Sequence, residues 1–452
     1  MATTLPQRSP NRIPALSERA SLRYVNFIAL YFAEGLQMGM LFVGIPAWMA
    51  MQGKTPGEIG RFAAACALPW TFKFLVAPLM DRYTYLPMGR KRPWVLAGNI
   101  GLIISLMAMG FVPDPLANLP LFMAAAFTVS VFGALQDAAA DGMAIDSVPP
   151  SQQARANGFM AGSRMIGSSL ALAVGSWLLN AYNFTVAMGA ISLLVGLVTL
   201  VPVLLREQPG EKLLPWLAGA ASPETERMQV RQWSTIFRSL YGVFRLRDSL
   251  LITLLLFISQ GAYNYFETLL PLFAVKITGW TNVFYAQTFA TADLVGGIGG
   301  MVAGGYLIER FGKKRMVNLY FLLIMALTTA LCLLKTQWAN TPVIYGFIVT
   351  YRVLNAFAKI GLYAIAMQCC SRKVSASQFT MFMTMGAVGS MAGATLIGPI
   401  KENFGWDITF FSFVGMLALT WLVLQFLNID QQVERITDLE TKDAEREALL
   451  LQ

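Results

Sequence analysis

The chain of 452 residues contains no histidine, and charged residues make up only 13% of it. Without histidine, a proton relay in this protein would have to run through Asp and Glu. The four cysteines, Cys66, Cys332, Cys369 and Cys370, form no C-x-x-C pair, which argues against a disulfide framework or a zinc site. No phosphate-binding P-loop and no nucleophile–base pairing is visible. We therefore expect no enzyme activity, no direct use of ATP, no cofactor and no metal.

Apolar residues make up 56% of the sequence and the mean hydropathy is positive. Most of these side chains could not face water, which predicts an integral membrane protein. The net charge of +9 does not indicate a nucleic-acid partner, because Lys and Arg lie in short connections between apolar runs. Membrane topology explains that placement better.

The apolar runs predict an all-α membrane protein. A hydrocarbon core about 30 Å thick requires about 20 apolar residues per helix, and twelve runs meet that length. Their predicted limits are 24–50, 58–80, 93–112, 119–145, 157–180, 184–205, 248–275, 282–307, 314–335, 342–368, 376–400 and 406–428.

Two polar turns indicate that the chain is an internal duplication. Pro78–Trp94 reads PLMDRYTYLPMGRKRPW and Gly304–Val317 reads GGYLIERFGKKRMV, with the G-R-K-R and G-K-K-R segments about 223 residues apart. Small residues follow Phe159 and Phe382 at the same offset, so we expect spans five and eleven to pack where the two halves meet. The fold predicted is two pseudo-symmetric six-helix bundles.

These limits divide the chain into five segments. They are an N-terminal tail, 1–23; a first bundle, 24–205; a linker, 206–247; a second bundle, 248–428; and a C-terminal tail, 429–452. With both tails and the linker in the cytoplasm, few basic residues fall outside, as the positive-inside rule requires. Those few are Lys54, Lys276, Lys335 and Lys401. We expect a multi-pass protein of the cell inner or plasma membrane, with a disordered N-terminal tail.

Two polar segments have helical patterns of their own. Phe237, Leu240, Tyr241 and Phe244 recur at helical spacing beside arginines near the end of the linker. This pattern suits a helix on the inner membrane surface, and equally an extension of span seven. In the charged C-terminal tail, apolar residues at near-heptad spacing favour a short solvated helix over a partner-binding coil.

Six plus six spans, a long central linker and the paired loops D-R…G-R-K-R and E-R-F-G-K-K-R resemble the major facilitator superfamily over essentially the whole chain. In that superfamily these loops brace the cytoplasmic side, and their charged residues exchange partners as the halves rock. The resemblance implies this gate role for Asp81, Arg82, Arg90, Arg92, Glu309, Arg310, Lys313 and Arg315.

One branch of the superfamily resembles this chain further. The first loop has six residues between Arg82 and Gly89, where the superfamily pattern has one, and then G-R-K-R-P-W. Ala134–Asp146, ALQDAAADGMAID, is similar to the Q-D-x-x-x-D signature of the anhydromuropeptide permeases and acetyl-coenzyme A transporters. Ser375–Phe379, SASQF, is similar to a turn of the same branch.

Charged residues inside spans require partners or a water-filled cavity. Glu34 and Asp293 lie near the middle of spans one and eight, and Asp137 and Asp141 share one face of span four. Two carboxylates as close as Asp137 and Asp141 would not both ionise readily, which makes them candidates for proton coupling. Glu34 and Asp293 are the other two candidates. Alternatively, Asp141 and Asp146 pair with loop cations such as Arg82 or Arg155.

Basic and polar residues inside the spans indicate a site for a solute with carboxylates or phosphates. The candidates are Lys73, Gln136, Arg164, Tyr263, Asn264, Glu267, Arg352 and Lys359. Structural ion pairs, and interfacial tyrosines in span seven, are the competing interpretations. A Gly followed by Asn and two Tyr in span seven also suggests a bent helix with inward polar groups.

We therefore expect a proton-coupled secondary transporter that works by alternating access. The first substrate expected is a cell-wall-derived glycopeptide, imported with protons. Acetyl-coenzyme A or another organic anion is the alternative within this class. A membrane assembly factor or sensor that transports nothing is the alternative from another class. The expected partners are a small-molecule substrate, protons and the lipid bilayer, with no nucleic acid, and the expected state is a monomer.

Overall fold

The structure, a computed structural model, describes residues 15–230 and 232–450. Twelve long helices follow the order of the predicted spans and begin and end within about four residues of the predicted limits. They are α1 (Ala20–Met51), α2 (Pro56–Arg82), α3 (Arg92–Gly110), α4 (Leu119–Ser147), α5 (153–181), α6 (Phe184–Leu204), α7 (Arg247–Lys276), α8 (Phe284–Phe311), α9 (Lys313–Leu333), α10 (Thr341–Gln368), α11 (Ser375–Asn403) and α12 (Trp406–Phe426). The prediction of an all-α membrane protein is confirmed, and a long helix lies at each of the twelve predicted spans of the two six-helix bundles.

One of the twelve helices is more polar than the rest. In the described ranges, eleven helices are long and apolar enough to cross a membrane by length and composition, and α5 is the exception. Its polar residues are turned away from lipid, since Asn157 and Ser163 are buried and Arg164 lies against α1 and α4. The burial of these groups by neighbouring helices allows a helix of this composition to cross the bilayer.

A pair of closely packed helices lies in each half, at equivalent positions. In the first half α1 packs on α5, and a Cβ on Gly35 would lie 2.2 Å from the carbonyl oxygen of Arg164. In the second half α7 packs on α11, and a Cβ on Gly393 would lie 2.0 Å from the carbonyl oxygen of Gly261. Small residues allow such backbone contact between membrane helices. The repeated pair supports the predicted duplication.

The same two helices, α5 and α11, also face the other half. A Cβ on Gly158 or Gly162 of α5 would lie 2.6 Å from a carbonyl oxygen of α8, on Gly300 or Gly297. Helix α11 contacts α2 and α4 of the first half. The prediction that spans five and eleven lie at the contact between halves is confirmed, and their small residues permit that close contact.

We expect Gly393→Ala to destabilise the protein. The added methyl would overlap the Gly261 carbonyl, and helix backbone cannot move aside as a flexible side chain can. Overpacking of this kind typically costs about 1–3 kcal/mol. A thermal-unfolding measurement in detergent should show a lower midpoint. Gly398→Ala, on the same helix with nothing within 4 Å of the added methyl, is the matched control. Equal midpoints for the two variants would contradict the contact.

Both duplicated loops use glycine for the same backbone conformation. Gly89 has φ +102° and Gly312 has φ +94°, a left-handed region that favours glycine. These residues lie just before α3 and α9, so each turns the chain into the next helix. The equivalence of G-R-K-R and G-K-K-R therefore extends from sequence to geometry.

The N-terminal segment, the linker and the C-terminal helix lie on the same end of the bundle, here called the linker face. Leu16 donates its N–H to the carbonyl of Arg206, and Ser239 of the linker donates to Asp443 of the C-terminal helix. Residues 1–14 of the predicted tail lie outside the described residues. Over residues 15–23 the prediction of disorder is wrong, because Leu16 and Arg23 are buried against the linker and the α4–α5 connection.

The linker contains a separate amphipathic helix, Trp233–Phe244. The chain is extended at Leu246, so this helix is not an extension of α7. Leu240 is buried, while Phe237 and Tyr241 are 60% and 64% exposed, so the predicted apolar stripe is divided between two faces. The C-terminal tail forms the helix Ile429–Leu450, as predicted, but it packs against the linker helix and α7 rather than being fully solvated.

Candidate functional site

Two adjoining cavities lie between the two halves inside the bundle. The first, about 310 Å³, is lined by residues of α1, α2, α4, α5, α7, α10 and α11. The second, about 290 Å³, is lined by α5, α7, α8 and α10. The residues that line both cavities are Asn157, Ala161, Arg164 and Tyr363. Each volume is near the lower end of the range for small-molecule sites, and together the cavities suit a larger solute.

An ion cluster joins four helices at the first cavity. The ammonium group of Lys73 on α2 lies 2.5 Å from a carboxylate oxygen of Asp137 on α4. The guanidinium group of Arg164 on α5 lies 3.3 Å from Asp137 and 3.0 Å from Glu34 on α1. Asp137 therefore bridges two cations. Glu34 is almost fully buried behind Arg164 and is not among the cavity-lining residues.

Asp141 is the acid at the first cavity that carries no ion pair. It lines the cavity one helical turn from Asp137, and its carboxyl group accepts a hydrogen bond from the Tyr31 hydroxyl. Among the described residues, no Lys or Arg nitrogen lies within 4 Å of it. Asp141 therefore pairs with neither Arg82 nor Arg155, which was the alternative interpretation. The negative charge of an ionised Asp141 would thus have no direct counterion.

A second ion cluster lies at the second cavity. Arg352 on α10 contacts the carboxylates of Glu267 on α7 and Asp293 on α8, and donates to the Tyr263 hydroxyl at 3.1 Å. Its guanidinium also lies 3.9 Å from the centre of the Phe289 ring. Asp293 and Arg352 line the cavity, whereas Glu267 is not among its lining residues. This cluster ties together three helices of the second half.

Lys359, two turns along α10 from Arg352, is a cation of a different kind. Its ammonium group lies 3.0 Å from the centre of the Tyr263 ring and lines the second cavity. Within residues 15–230 and 232–450 it has no carboxylate within 4 Å. An aromatic face attracts a cation but supplies no formal negative charge. Lys359 is therefore available to an anionic group that enters the cavity.

Three of the residues predicted to bind substrate do not line either cavity: Gln136, Asn264 and Glu267, the last of which pairs with Arg352. Gln136 is buried and donates to the carbonyl of Leu30, where it contributes to packing of α4 on α1. The Asn264 side chain donates to Ser390 across the α7–α11 contact. The rotation of each helix, set by its packing, turned these amides away from the open space.

Several cavity residues were missed by sequence reasoning. Tyr31, Trp70, Asn157, Gln260 and Tyr363 all line the first cavity. Gln260 donates to the Tyr363 hydroxyl at 2.7 Å, which links α7 to α10 beside both cavities. Tyr363 lies four residues after Lys359, so the shared helix face was a usable signal. Trp70 and Asn157 offered no comparable signal.

The linker face is held closed between the halves by the first duplicated loop. Asp81, at the end of α2, accepts the N–H of Ser377 on α11 at 2.9 Å and also its hydroxyl. Lys91 and Arg90 contact the same carboxylate. Arg90 also pairs with Asp146 at 3.1 Å and donates to two carbonyl groups of the α10–α11 loop. Asp146 is thus paired with Arg90, not with Arg82 or Arg155.

The second duplicated loop makes fewer contacts across the halves. Glu309 of α8 pairs with Arg155 of α5 at 2.8 Å, and Lys313 donates to Gln153 at 3.2 Å. Four of the predicted gate residues therefore bridge the halves in this state: Asp81, Arg90, Glu309 and Lys313.

Of the other four predicted gate residues, Arg82, Arg92 and Arg310 make contacts within their own half or with the linker. Arg92 donates to main-chain carbonyls of the α6 end and the linker, those of Pro202, Val203, Lys212 and Leu213. Arg82 lies over the rings of Tyr83 and Trp233. Arg310 donates to the Tyr306 hydroxyl, and Arg315 has no ion pair within the described part of the chain. These residues do not bridge the halves in this state.

Comparisons with known proteins agree with this architecture. The sequence profile of the Major Facilitator Superfamily matches residues 27–394 and 295–449. The anhydromuropeptide permease of Escherichia coli (strain K12) is 24% identical over 397 residues, which are 88% of this chain and 78% of that protein.

Solved structures share the fold at low sequence identity. FucP, a Major Facilitator Superfamily transporter crystallised in the outward conformation, has a TM-score of 0.69 at 14% identity, over 90% of this chain and 98% of its own. The human organic anion transporter MFSD10 (TETRAN) has a TM-score of 0.64 at 14% identity, with the same coverage. The two six-helix halves, the cavities between them and the profile match over most of the sequence agree, and the chain belongs to the Major Facilitator Superfamily.

Proposed function

We propose that this transporter imports a polar, anionic solute by proton symport, and that the solute is a cell-wall-derived muropeptide. The observation that carries the proposal is Lys359, a cation that faces a cavity between the halves and has no carboxylate partner among the described residues. Arg164, whose side chain is 35% exposed, lies between this cavity and the first one. A carboxylate-bearing solute that spans both cavities would contact both cations.

The contacts between the halves support a mechanism of alternating access. The contacts of Asp81, Arg90, Glu309 and Lys313 close the linker face, while the cavities lie deeper. In this scheme the halves rock about the cavities, and these four residues separate when the linker face opens. Their charges would then be satisfied by other partners or by water, which is the gate role that the superfamily resemblance implies.

The linker face is assigned to the cytoplasm. The structure has the N-terminal segment, the linker and the C-terminal helix on one face, and both duplicated basic loops lie there too. Basic residues concentrate on the cytoplasmic side of membrane proteins, which supports this orientation. The closed linker face would then correspond to a state closed toward the cytoplasm.

Asp141 is the proposed proton carrier. The two ion clusters contain four carboxyl groups, those of Glu34, Asp137, Glu267 and Asp293, and three cations, those of Lys73, Arg164 and Arg352, while Asp141 and Lys359 lie beside them without an ion pair to any described residue. A carboxyl group that gains a proton leaves its cation partner uncompensated, and Asp141 has no such partner in the part of the chain that the structure describes. Its proton can therefore enter and leave with the least disturbance to the ion pairs.

The muropeptide assignment rests on the similarity to the E. coli anhydromuropeptide permease and on the chemistry of the cavity walls. Tyr263, Tyr363 and Trp70 offer aromatic faces to sugar rings, and the cations offer sites for peptide carboxylates. Lys359 and Arg164 equally favour acetyl-coenzyme A or another organic anion, which is the alternative within this class. A sensor or assembly factor would not require paired cavities with buried ion clusters.

A ligand panel tests the function. We expect a muropeptide to raise the thermal midpoint of the purified protein in detergent by an amount that grows with its concentration. Coenzyme A esters and neutral sugars are the comparison compounds. A shift with coenzyme A esters alone would replace the substrate assignment. No shift with any compound, together with no uptake into proteoliposomes under a pH gradient, would contradict transport and favour a sensor or assembly factor.

A further inference from the structure

A large basic crevice opens on the linker face, away from the two central cavities. Its volume is about 880 Å³. The cations that line it come from the start of α7 and the start of α9: Arg247, Lys313, Lys314 and Arg315. Its other walls come from the α4–α5 connection, the ends of α8, α10 and α12, and the start of the C-terminal helix.

The positive charge of this crevice is not neutralised by protein carboxylates. The ammonium groups of Lys313 and Lys314 donate to uncharged oxygen atoms at 2.7 to 3.5 Å. Arg247 and Arg315 are exposed and form no ion pair with any described residue. All four cations therefore lack a carboxylate within 4 Å in the part of the chain that the structure describes.

Three acids lie in or near the crevice, Glu309, Asp248 and Asp430, and none of them pairs with its four cations. Glu309, which lines the crevice, is paired with Arg155 at 2.8 Å. Asp248 is buried and accepts the N–H of Asn428 at 3.0 Å. Asp430 lines the crevice but is exposed and forms no ion pair with a described residue. The crevice thus has more positive than negative charge.

The first half of the molecule contains an equivalent position, and an anion fills it. The Glu207 carboxylate of the linker accepts the N–H groups of Arg90 at 2.7 Å and Lys91 at 2.8 Å, and also that of Arg92. These N–H groups belong to the loop and the first turn of α3. The start of a helix favours an anion because its N–H groups lack partners within the helix.

At the offset of about 223 residues, the three donors of the first half correspond to Lys313, Lys314 and Arg315 of the second half. Glu207 corresponds to Asp430. Here Gly312 precedes the helix, and no side chain caps the start of α9. Asp430 accepts none of these N–H groups, although it lies beside the crevice. The position that a carboxylate fills in the first half therefore opens onto the basic crevice in the second.

We propose that this crevice binds a phosphate group, carried by an anionic phospholipid headgroup or free in solution. Two arginines can form bidentate hydrogen bonds to phosphate oxygens, and two lysines add positive charge. The uncapped start of α9 adds backbone donors of the kind that bind phosphate elsewhere. The ligand would fill the role that Glu207 fills in the first half. This proposal is independent of the transported substrate.

Binding of two probes to the purified protein in uncharged detergent tests the proposal. The probes are inorganic phosphate and short-chain phosphatidylglycerol, with short-chain phosphatidylcholine as the zwitterionic comparison. We expect the double variant Arg247→Gln/Arg315→Gln to weaken binding of whichever probe binds the wild-type protein by about tenfold or more. Each lost charge-assisted contact is worth at least that much. Arg61→Gln/Arg227→Gln removes the same charge from exposed positions outside the crevice and should change binding less than about twofold.

Each result of these binding measurements either supports the phosphate-binding proposal or overturns it. Binding of phosphatidylglycerol without phosphate binding identifies a headgroup as the source, and saturable phosphate binding identifies a free anion. Equal binding of phosphatidylglycerol and phosphatidylcholine would overturn the proposal, because binding would then not depend on the net negative charge of the headgroup. Binding of neither probe, or equal loss in both double variants, would also overturn it. Unchanged thermal midpoints of the unliganded variants show that the substitutions leave the fold intact.

Discussion

Asp141→Asn is expected to abolish accumulation of substrate driven by a pH gradient, while exchange of substrate across the membrane continues. Asparagine keeps the shape of the side chain and can still accept the Tyr31 hydroxyl, but it cannot carry a proton. In proteoliposomes, uptake under an imposed pH gradient should fall to the level measured without one. Counterflow of labelled substrate should stay within about threefold of wild type, because an uncoupled carrier still alternates between its two states.

Asp137→Asn provides the contrast. Asp137 pairs with both Lys73 and Arg164, so its loss leaves two buried cations with less compensation. Breaking a buried ion pair from one side typically costs about 3–5 kcal/mol, so this variant should lose stability, counterflow and driven uptake together. If Asp141→Asn kept full pH-driven accumulation, Asp141 would not be the proton carrier. If it lost counterflow as well, it would bind substrate or support the fold instead.

Lys359→Gln is expected to weaken binding of an anionic substrate by about 10- to 100-fold, the equivalent of one lost charge-assisted hydrogen bond. Lys359 contacts the Tyr263 ring and has no acid partner among the described residues, so its removal strands no buried carboxylate. The thermal midpoint of the unliganded protein should therefore remain near that of wild type. Titration of the ligand in a thermal-shift assay measures both quantities.

Two comparisons make the result specific to charge. Lys359→Arg should keep affinity within a few-fold, since the guanidinium group retains the positive charge. Arg352→Gln should behave differently, because Glu267 and Asp293 both lose their cation and the unliganded protein becomes less stable. Unchanged affinity of Lys359→Gln for every anionic ligand that stabilises wild type would show that Lys359 does not contact substrate.

The helices and the duplication could be predicted because each depends on local pattern. A run of about 20 apolar residues has to form a helix in lipid, whatever its neighbours, since every backbone N–H and C=O needs a partner within the segment. The two polar turns with Gly89 and Gly312 marked the repeat, and both glycines adopt positive φ. Even α5, the least apolar helix, was predicted as a span, with the limits 157–180.

The pairing of charges could not be predicted in the same way. Lys73 and Asp137 are 64 residues apart, and Arg352 and Glu267 are 85 residues apart, so only packing brings them together. Sequence reasoning placed Asp137 and Asp141 on one face of span four and expected a pairing with loop cations as the alternative for Asp141, not for Asp137. Because Lys73 and Arg164 approach Asp137 but not Asp141, the two acids have different surroundings. Residues 15–23 were expected to be disordered because they are polar. That expectation was wrong because their docking site lies on the linker, which is distant in sequence.

The sequence by itself determined the membrane solvent, the number of helices, the two-fold repeat and the residue types available to the site. These follow from composition and periodicity, which act over a few turns of helix. Only the tertiary structure decided which cations remain free, since that depends on how each helix is rotated against its neighbours. Lys359 and Lys73 both lie in membrane helices. Packing provides Asp137 to Lys73, whereas within the described residues it gives Lys359 the Tyr263 ring and no carboxylate.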